Sequence, residues 1–237
     1  MGKARDVYHR TRKRPDLFWN RFVARPVAAV IVAALAGTRV TPNQITLAAL
    51  AVAALAAALI VTLPGYLGLL AAVLVFEISY VLDCADGMLA RWRGTQSALG
   101  HLLDFLMDEL KAFLVLAATS VRLHLETGST TPLLVGIGGL VALASGVALT
   151  TFLRRPELGQ TAPRSAEHGQ RRSFSHRAVG AIEAAAKLLI HYPSYIWLAA
   201  AVGRIELYFY PYVAVNALYA SRTLLGVAVR FGRSNPH

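Results

Sequence analysis

The chain has 237 residues, 56% of them hydrophobic, and a formal net charge of +11. A mean hydropathy of +0.50 excludes an ordinary soluble domain and points to an all-α integral membrane protein. The single cysteine, Cys84, excludes an intrachain disulfide.

The N-terminal stretch "MGKARDVYHRTRKRPD" is polar and basic, without the apolar core of a cleavable signal peptide. The segment "DLFWNRFVARPVAAVIVAALAG" follows. Its uncharged run, Pro26 to Gly37, is too short to cross a bilayer. Arg21 and Arg25 beside Phe18, Trp19 and Phe22 predict an interfacial amphipathic helix, arginines at the headgroups. A buried part of a longer span is the alternative.

Six segments have the apolar length of a spanning helix. They are Asn43 to Leu63, about Tyr66 to Leu82, about Leu102 to Leu123, Pro132 to Leu153, about Ala178 to Val202, and about Leu207 to Val229. The first is preceded by Thr41-Pro42, an N-cap followed by a first-turn proline. The fifth is the weakest, interrupted by Glu183, Lys187, His191 and Pro193. The expected organisation is a basic segment with the interfacial helix (1–40), a six-helix membrane domain (41–230) and a tail (231–237).

With six spans, the N-terminal segment to Pro26, the second-to-third and fourth-to-fifth connections and the tail hold 18 Lys and Arg, against 2 in the loops of the other side. The positive-inside rule then puts both termini in the cytoplasm, at an inner or plasma membrane. This asymmetry accounts for most of the net charge as topology and contact with acidic lipid, and argues against a nucleic-acid partner.

Four carboxylates lie where hydrocarbon gives way to water on that cytoplasmic side. Asp83 and Asp86 are three residues apart, with Gly87 four from Asp83; Gly100, Asp104 and Asp108 follow at intervals of four. Each set shares one helical face, and a short connection makes the two helices antiparallel neighbours. Ionised carboxylates in a partly desolvated site repel, so protons or a cation must neutralise them. Oxygen-only ligands select a hard divalent cation over zinc. Metal with clustered carboxylates suits chemistry on a phosphate or pyrophosphate, with one carboxylate accepting the proton of an attacking hydroxyl. Gly87, Ala90 and Gly100 allow close approach of a ligand, and Arg91 is in reach of a phosphate oxygen. Taken singly, each has a structural reading: a helix end, packing, or a topology marker.

Written out, Asp83 to Asp108 reads D-x2-D-G-x2-A-R-x8-G-x3-D-x3-D, with every position filled. This resembles the signature of the CDP-alcohol phosphotransferase family, as do "TPNQIT" (Thr41 to Thr46), the six spans and the interfacial helix. The resemblance implies transfer of a phosphoalcohol group from a CDP-alcohol to an acceptor hydroxyl with release of CMP, in phospholipid biosynthesis. It implies Asp83, Asp86, Asp104 and Asp108 as ligands of Mg²⁺ or Mn²⁺, two ions in all, with Asp108 also the general base. Gly87, Ala90, Arg91 and Gly100 would line the nucleotide site, Ser97 or Thr95 would meet a phosphate, and Asn43 would stand near the donor. CDP-diacylglycerol is the default donor, and a CDP-linked small alcohol is the alternative. Family members commonly form homodimers.

The acceptor is an alcohol, phosphorylated (glycerol phosphate or inositol phosphate) in one reading. Arg154 and Arg155, after the fourth span, and Arg222, inside the sixth and expected to face the bundle, are its candidate contacts. Arg154 and Arg155 serve equally well as topology anchors. Glu77 and His101 read as structural partners, and Lys111 as the ion-pair partner of Asp108. A divalent-cation transporter is the competing class. It calls for acidic residues near mid-membrane on several helices, whereas these cluster on two helices at one end.

Overall fold

The computed structural model describes residues 2–12, 19–153 and 195–233. All regular structure among them is helical. The elements are α1 (Gly2–Thr11), a wide π-helical turn (Asn20–Ala24) running into α2 (Arg25–Leu35), α3 (Pro42–Thr62), α4 (Gly65–Arg93), α5 (Ala98–Thr127), α6 (Thr131–Leu153), the short α7 (Ile196–Ala201) and α8 (Glu206–Arg233).

Local chemistry sets most of these boundaries. Pro26 has no N–H and its ring crowds the carbonyl four residues back, so the preceding turn widens and Arg25 N–H reaches the carbonyl of Asn20. α3 opens with a reciprocal capping box: Thr41 Oγ1 accepts from Gln44 N–H, and Gln44 Oε1 accepts from Thr41 N–H. α4 closes at Gly94, whose φ of +68° falls in the left-handed region that favours glycine. Thr95 N–H bonds to the Ala90 carbonyl and Gly94 N–H to Arg91, the paired bonds of a Schellman ending. Only three residues separate Gly94 from α5, so α4 and α5 run antiparallel.

Packing uses small residues. Ala49, Ala53, Ala56 and Ile60 form one fully buried stripe along α3, which lets α4 and α5 approach closely. Ser79 of α4 donates its hydroxyl to the Ala49 carbonyl at 2.6 Å. Arg122, buried in α5, donates to the carbonyls of Ile60, Leu63 and Gly65 and so fastens the α3–α4 turn. A second core of Phe76, Leu116, Ile196, Tyr208, Phe209 and Tyr212 joins α4, α5, α7 and α8.

Among the described residues four helices are long and apolar enough to cross a membrane: α3, α4, α6 and the Glu206–Val229 part of α8. The chain is therefore an integral membrane protein. The expected third span, about Leu102 to Leu123, lies within the 30-residue α5. That helix is long enough, but Asp104, Asp108, Glu109, Lys111 and Arg122 keep it from qualifying on composition. Most of the expected fifth span lies outside the described residues, of which α7 is the described end. The segment expected to lie in the interface is a turn and helix packed against α4 through Ala28, Ala29 and Val32. Arg21 is exposed there, whereas Arg25, expected at the headgroups, is buried.

Candidate active site

The second span and the aspartate segment form one uninterrupted helix, α4, so Asp83 and Asp86 are carried on a rigid rod rather than a loop. Across from them α5 is capped by Ser97, whose Oγ accepts from Gly100 N–H at 3.0 Å. This cap fixes where α5 starts and hence the register of Asp104 and Asp108 against α4.

Carboxylate oxygens of Asp83, Asp104 and Asp108 lie within 4.8 Å of one another. Lys111, 3% exposed, forms ion pairs with Asp83 and, at 3.2 Å, with Asp108. The expected partnership with Asp108 is thus present and extends to a second carboxylate on the neighbouring helix. The group thus gathers three carboxylates on two facing helices around the Lys111 ammonium. Three close carboxylates, with oxygen as the donor atom throughout, fit a divalent cation. Asp86 stands outside this group of three. It is buried and accepts a hydrogen bond from Thr46 Oγ1 of α3.

Two cavities flank the carboxylates. The first, about 300 Å³, lies between the start of α3, the end of α4 and the start of α5. It is lined by every expected donor residue (Asn43, Gly87, Ala90, Arg91, Ser97 and Gly100) together with Asp86 and Asp104. A Cβ built on Gly87 would stand 3.3 Å from Arg91 Nη1, so the missing side chain leaves room for the guanidinium. Thr41, Thr46, Arg93, Gln96 and His101 also line this cavity. Arg93, counted in the sequence only toward topology, donates to the carbonyls of Leu35, Thr38 and Val40. It thereby ties the end of α2 and the strap leading to Thr41, the cap of α3, to the end of α4. A basic residue two past the signature arginine is the sequence signal for it. His101, read as a structural partner, is exposed and faces the cavity.

The second cavity, about 340 Å³, lies on another side of α5, against α6 and α8. Asp108 and Glu109 line it with Thr150, Asn216 and Tyr219. Asp104 therefore opens on the first cavity and Asp108 on the second, with the carboxylate group between them. Of the candidate acceptor contacts, Arg222 is exposed rather than turned into the bundle and lines neither cavity. Arg154 and Arg155 lie outside the described residues. Glu77 has the structural partner expected of it: its Oε2 accepts from Trp19 Nε1 at 3.1 Å, and Trp19 stacks on Trp197 at 4.6 Å.

The sequence model of the CDP-alcohol phosphatidyltransferase family matches residues 39–221. The structure is similar to that of Mycobacterium tuberculosis phosphatidylinositol phosphate synthase (PgsA1) with CDP-DAG bound. The TM-score is 0.56 at 17% identity, over 85% of this chain and 93% of that one. It is similar to the apo form of the same enzyme with a TM-score of 0.53 at 18% identity, over 84% and 94% of the two chains. At that identity the likeness is one of fold. No curated protein matches the chain by sequence.

Proposed function

The chain belongs to the CDP-alcohol phosphatidyltransferase family, and on that premise we propose that its donor is CDP-diacylglycerol and that the first cavity receives the cytidine diphosphate. As a member of the family it is a membrane transferase of phospholipid biosynthesis. It transfers a phosphoalcohol group from a CDP-alcohol to an acceptor hydroxyl and releases CMP. The observation that carries the donor assignment is the convergence of Asn43, Gly87, Ala90, Arg91, Ser97 and Gly100 on one cavity whose inner edge is the carboxylate group. PgsA1, similar in fold, was solved with CDP-DAG bound, which supports the same donor here. A CDP-linked small alcohol is the alternative donor.

Asp83, Asp104 and Asp108 fit a divalent cation, with Asp86 close by on the donor side; Mg²⁺ or Mn²⁺, two ions in all, is our assignment. When bound, such ions neutralise the charge of the pyrophosphate and of the departing CMP. The protein's own groups supply the rest. Arg91 holds a phosphate oxygen at the rim of the cavity. Ser97, whose Oγ already accepts from Gly100, retains its O–H to donate to a phosphate. Asp108, reaching the second cavity, takes the proton of the acceptor hydroxyl. The freed oxygen then bonds to the phosphorus that bears the lipid alcohol. The bond from that phosphorus to the bridging oxygen breaks, and CMP leaves with that oxygen.

The second cavity is the acceptor's entry, because it alone of the two is lined by Asp108. Arg154 and Arg155, just beyond α6, would hold a phosphorylated acceptor such as glycerol phosphate or inositol phosphate. Arg222 is a weaker candidate in view of its exposure. We place the active site and both termini in the cytoplasm, with six spans across residues 41–230, an interfacial helix within 1–40 and a tail at 231–237. The protein is read as a homodimer. The test is an acceptor screen with labelled CDP-diacylglycerol, purified protein and Mg²⁺ or Mn²⁺, with the lipid product identified by mass. One acceptor giving stoichiometric CMP and a matching lipid is the expected result. Turnover with a CDP-linked small alcohol but not with CDP-diacylglycerol would overturn the donor assignment.

A further inference from the structure

Arg91 divides its guanidinium between the donor cavity and a helix that precedes the matched family region. Its Nε donates to the main-chain carbonyl of Thr11, the last residue of α1, at 2.7 Å. Nη1 and Nη2 make no hydrogen bond among the described residues. Both amino groups lie over Gly87 at the cavity lining. An arginine grips a phosphate through either its Nε side or its Nη1/Nη2 end. Here Thr11 occupies the Nε side, so the end remains for the ligand.

The acceptor on α1 suits the task. Carbonyls in the last turn of a helix lack intrahelical donors and carry the negative end of the helix dipole. The helix is short and polar, yet it is held in place. Val7 is fully buried and packs with Ala85, Met88 and Leu89 of α4. Thr11 is 1% exposed, and the Arg10 guanidinium lies 5.5 Å from the centre of the Trp92 ring. These contacts fall on the outer face of the α4 segment whose inner face bears Asp86, Gly87 and Ala90.

We propose that α1 is a positioning element for the donor site. Docking of Val7 on α4 brings the Thr11 carbonyl to Arg91 Nε, and this aims the Nη1/Nη2 end of Arg91 at a phosphate of the donor. The inference rests on the reading of the first cavity as the donor site. It gives the N-terminal segment a role in substrate binding beyond its charge.

A double-mutant cycle in the full chain tests it, using Val7→Ser to undock α1 and Arg91→Lys to remove the fork. Donor KM, acceptor KM, kcat and the dissociation constant of CDP are measured for all four proteins. Val7→Ser alone is expected to raise donor KM and the CDP dissociation constant about tenfold, the effect of misplacing one charge-assisted hydrogen bond. Its kcat and acceptor KM stay within about twofold. In the Arg91→Lys background, Val7→Ser adds less than about twofold, because α1 then has no fork to orient. The same multiplicative effect in both backgrounds, or an unchanged donor KM in Val7→Ser, overturns the proposal. If Val7→Ser does not fold, Val7→Ala takes its place in the cycle. CDP affinity is read apart from turnover. An absence of CMP release from the wild-type chain therefore counts against the functional reading, while the CDP constants still decide the role of α1.

Discussion

The two cavities beside α5 are built in different ways. The first is assembled from chain ends and turns: the cap of α3, the Schellman ending of α4 and the Ser97 cap of α5. Hydrogen bonds from Arg93 to three carbonyls lock the strap that leads into α3, whose first turn bears Asn43. The second is a gap between helix faces of α5, α6 and α8, where Thr150, Asn216 and Tyr219 lie among Leu143, Gly146 and Val147. A site made of fixed backbone suits a constant ligand, which the proposed function makes the cytidine diphosphate. A site made of side chains on helix faces changes specificity by substitution without disturbing the fold. In the proposed function the shared carboxylate group is what lets two such different cavities serve one reaction.

This contrast can be broken at four points. The largest effect is expected at the shared group. Asp104→Asn should lower kcat by about 10³-fold or more, since a proposed metal ligand would serve both cavities. Donor and acceptor KM values near the wild-type ones would show that Asp104 acts only in the chemical step. Next comes Lys111. Removing one partner of a buried ion pair costs about 3 kcal/mol or more. Lys111→Met should therefore melt well below the wild-type protein in the presence of a chelator. Mn²⁺ should recover most of the loss, because a ligand bound to the folded state stabilises it. An equal deficit with and without Mn²⁺ would separate Lys111 from the metal site.

Smaller effects should fall on one side only. Thr46→Val removes the hydroxyl donated to the buried Asp86. It should raise donor KM by about tenfold while acceptor KM holds, in line with the loss of one hydrogen bond to a charged group. On the other side, Asn216→Ala removes an amide that lines the second cavity and donates to the Tyr212 carbonyl at 2.8 Å. A rise of a few-fold in acceptor KM with donor KM unchanged is the expected outcome. If Thr46→Val moved acceptor KM, or Asn216→Ala donor KM, the assignment of one substrate to each cavity would be in error.

Much of the donor side is legible in the amino-acid sequence. Spacings of three and four on apolar helices place Asp83 with Gly87, and Asp104 with Asp108, on single faces. The short connection then forces those faces together. Thr41-Pro42 announces the start of α3 because capping is a local event. What the sequence hides depends on contacts across the chain. Asp86 reads as equivalent to its neighbours, and nothing in the spacing foretells its hydrogen bond from Thr46, forty residues away. Arg91 reads as a phosphate contact and Arg93 as a topology marker, but neither reading foretells that they donate to the carbonyls of Thr11, Leu35, Thr38 and Val40. α5 reads as an ordinary span from about Leu102, yet its charged residues are consumed by the site and by the α3–α4 turn. The acceptor side is the least legible. Much of its lining comes from α6 and α8, largely apolar runs in which an occasional Thr, Asn or Tyr gives no spacing signal.

The central claim is that Asp108 links the two cavities as the base of a metal-dependent transfer from CDP-diacylglycerol. The most direct measurement compares CMP release by wild-type and Asp108→Asn protein, with Mg²⁺ or Mn²⁺ and a productive acceptor. CDP binding is measured in parallel. We expect the variant to lose about 10³-fold in CMP release and still bind CDP with near wild-type affinity. CMP release by Asp108→Asn at the wild-type rate would contradict the account.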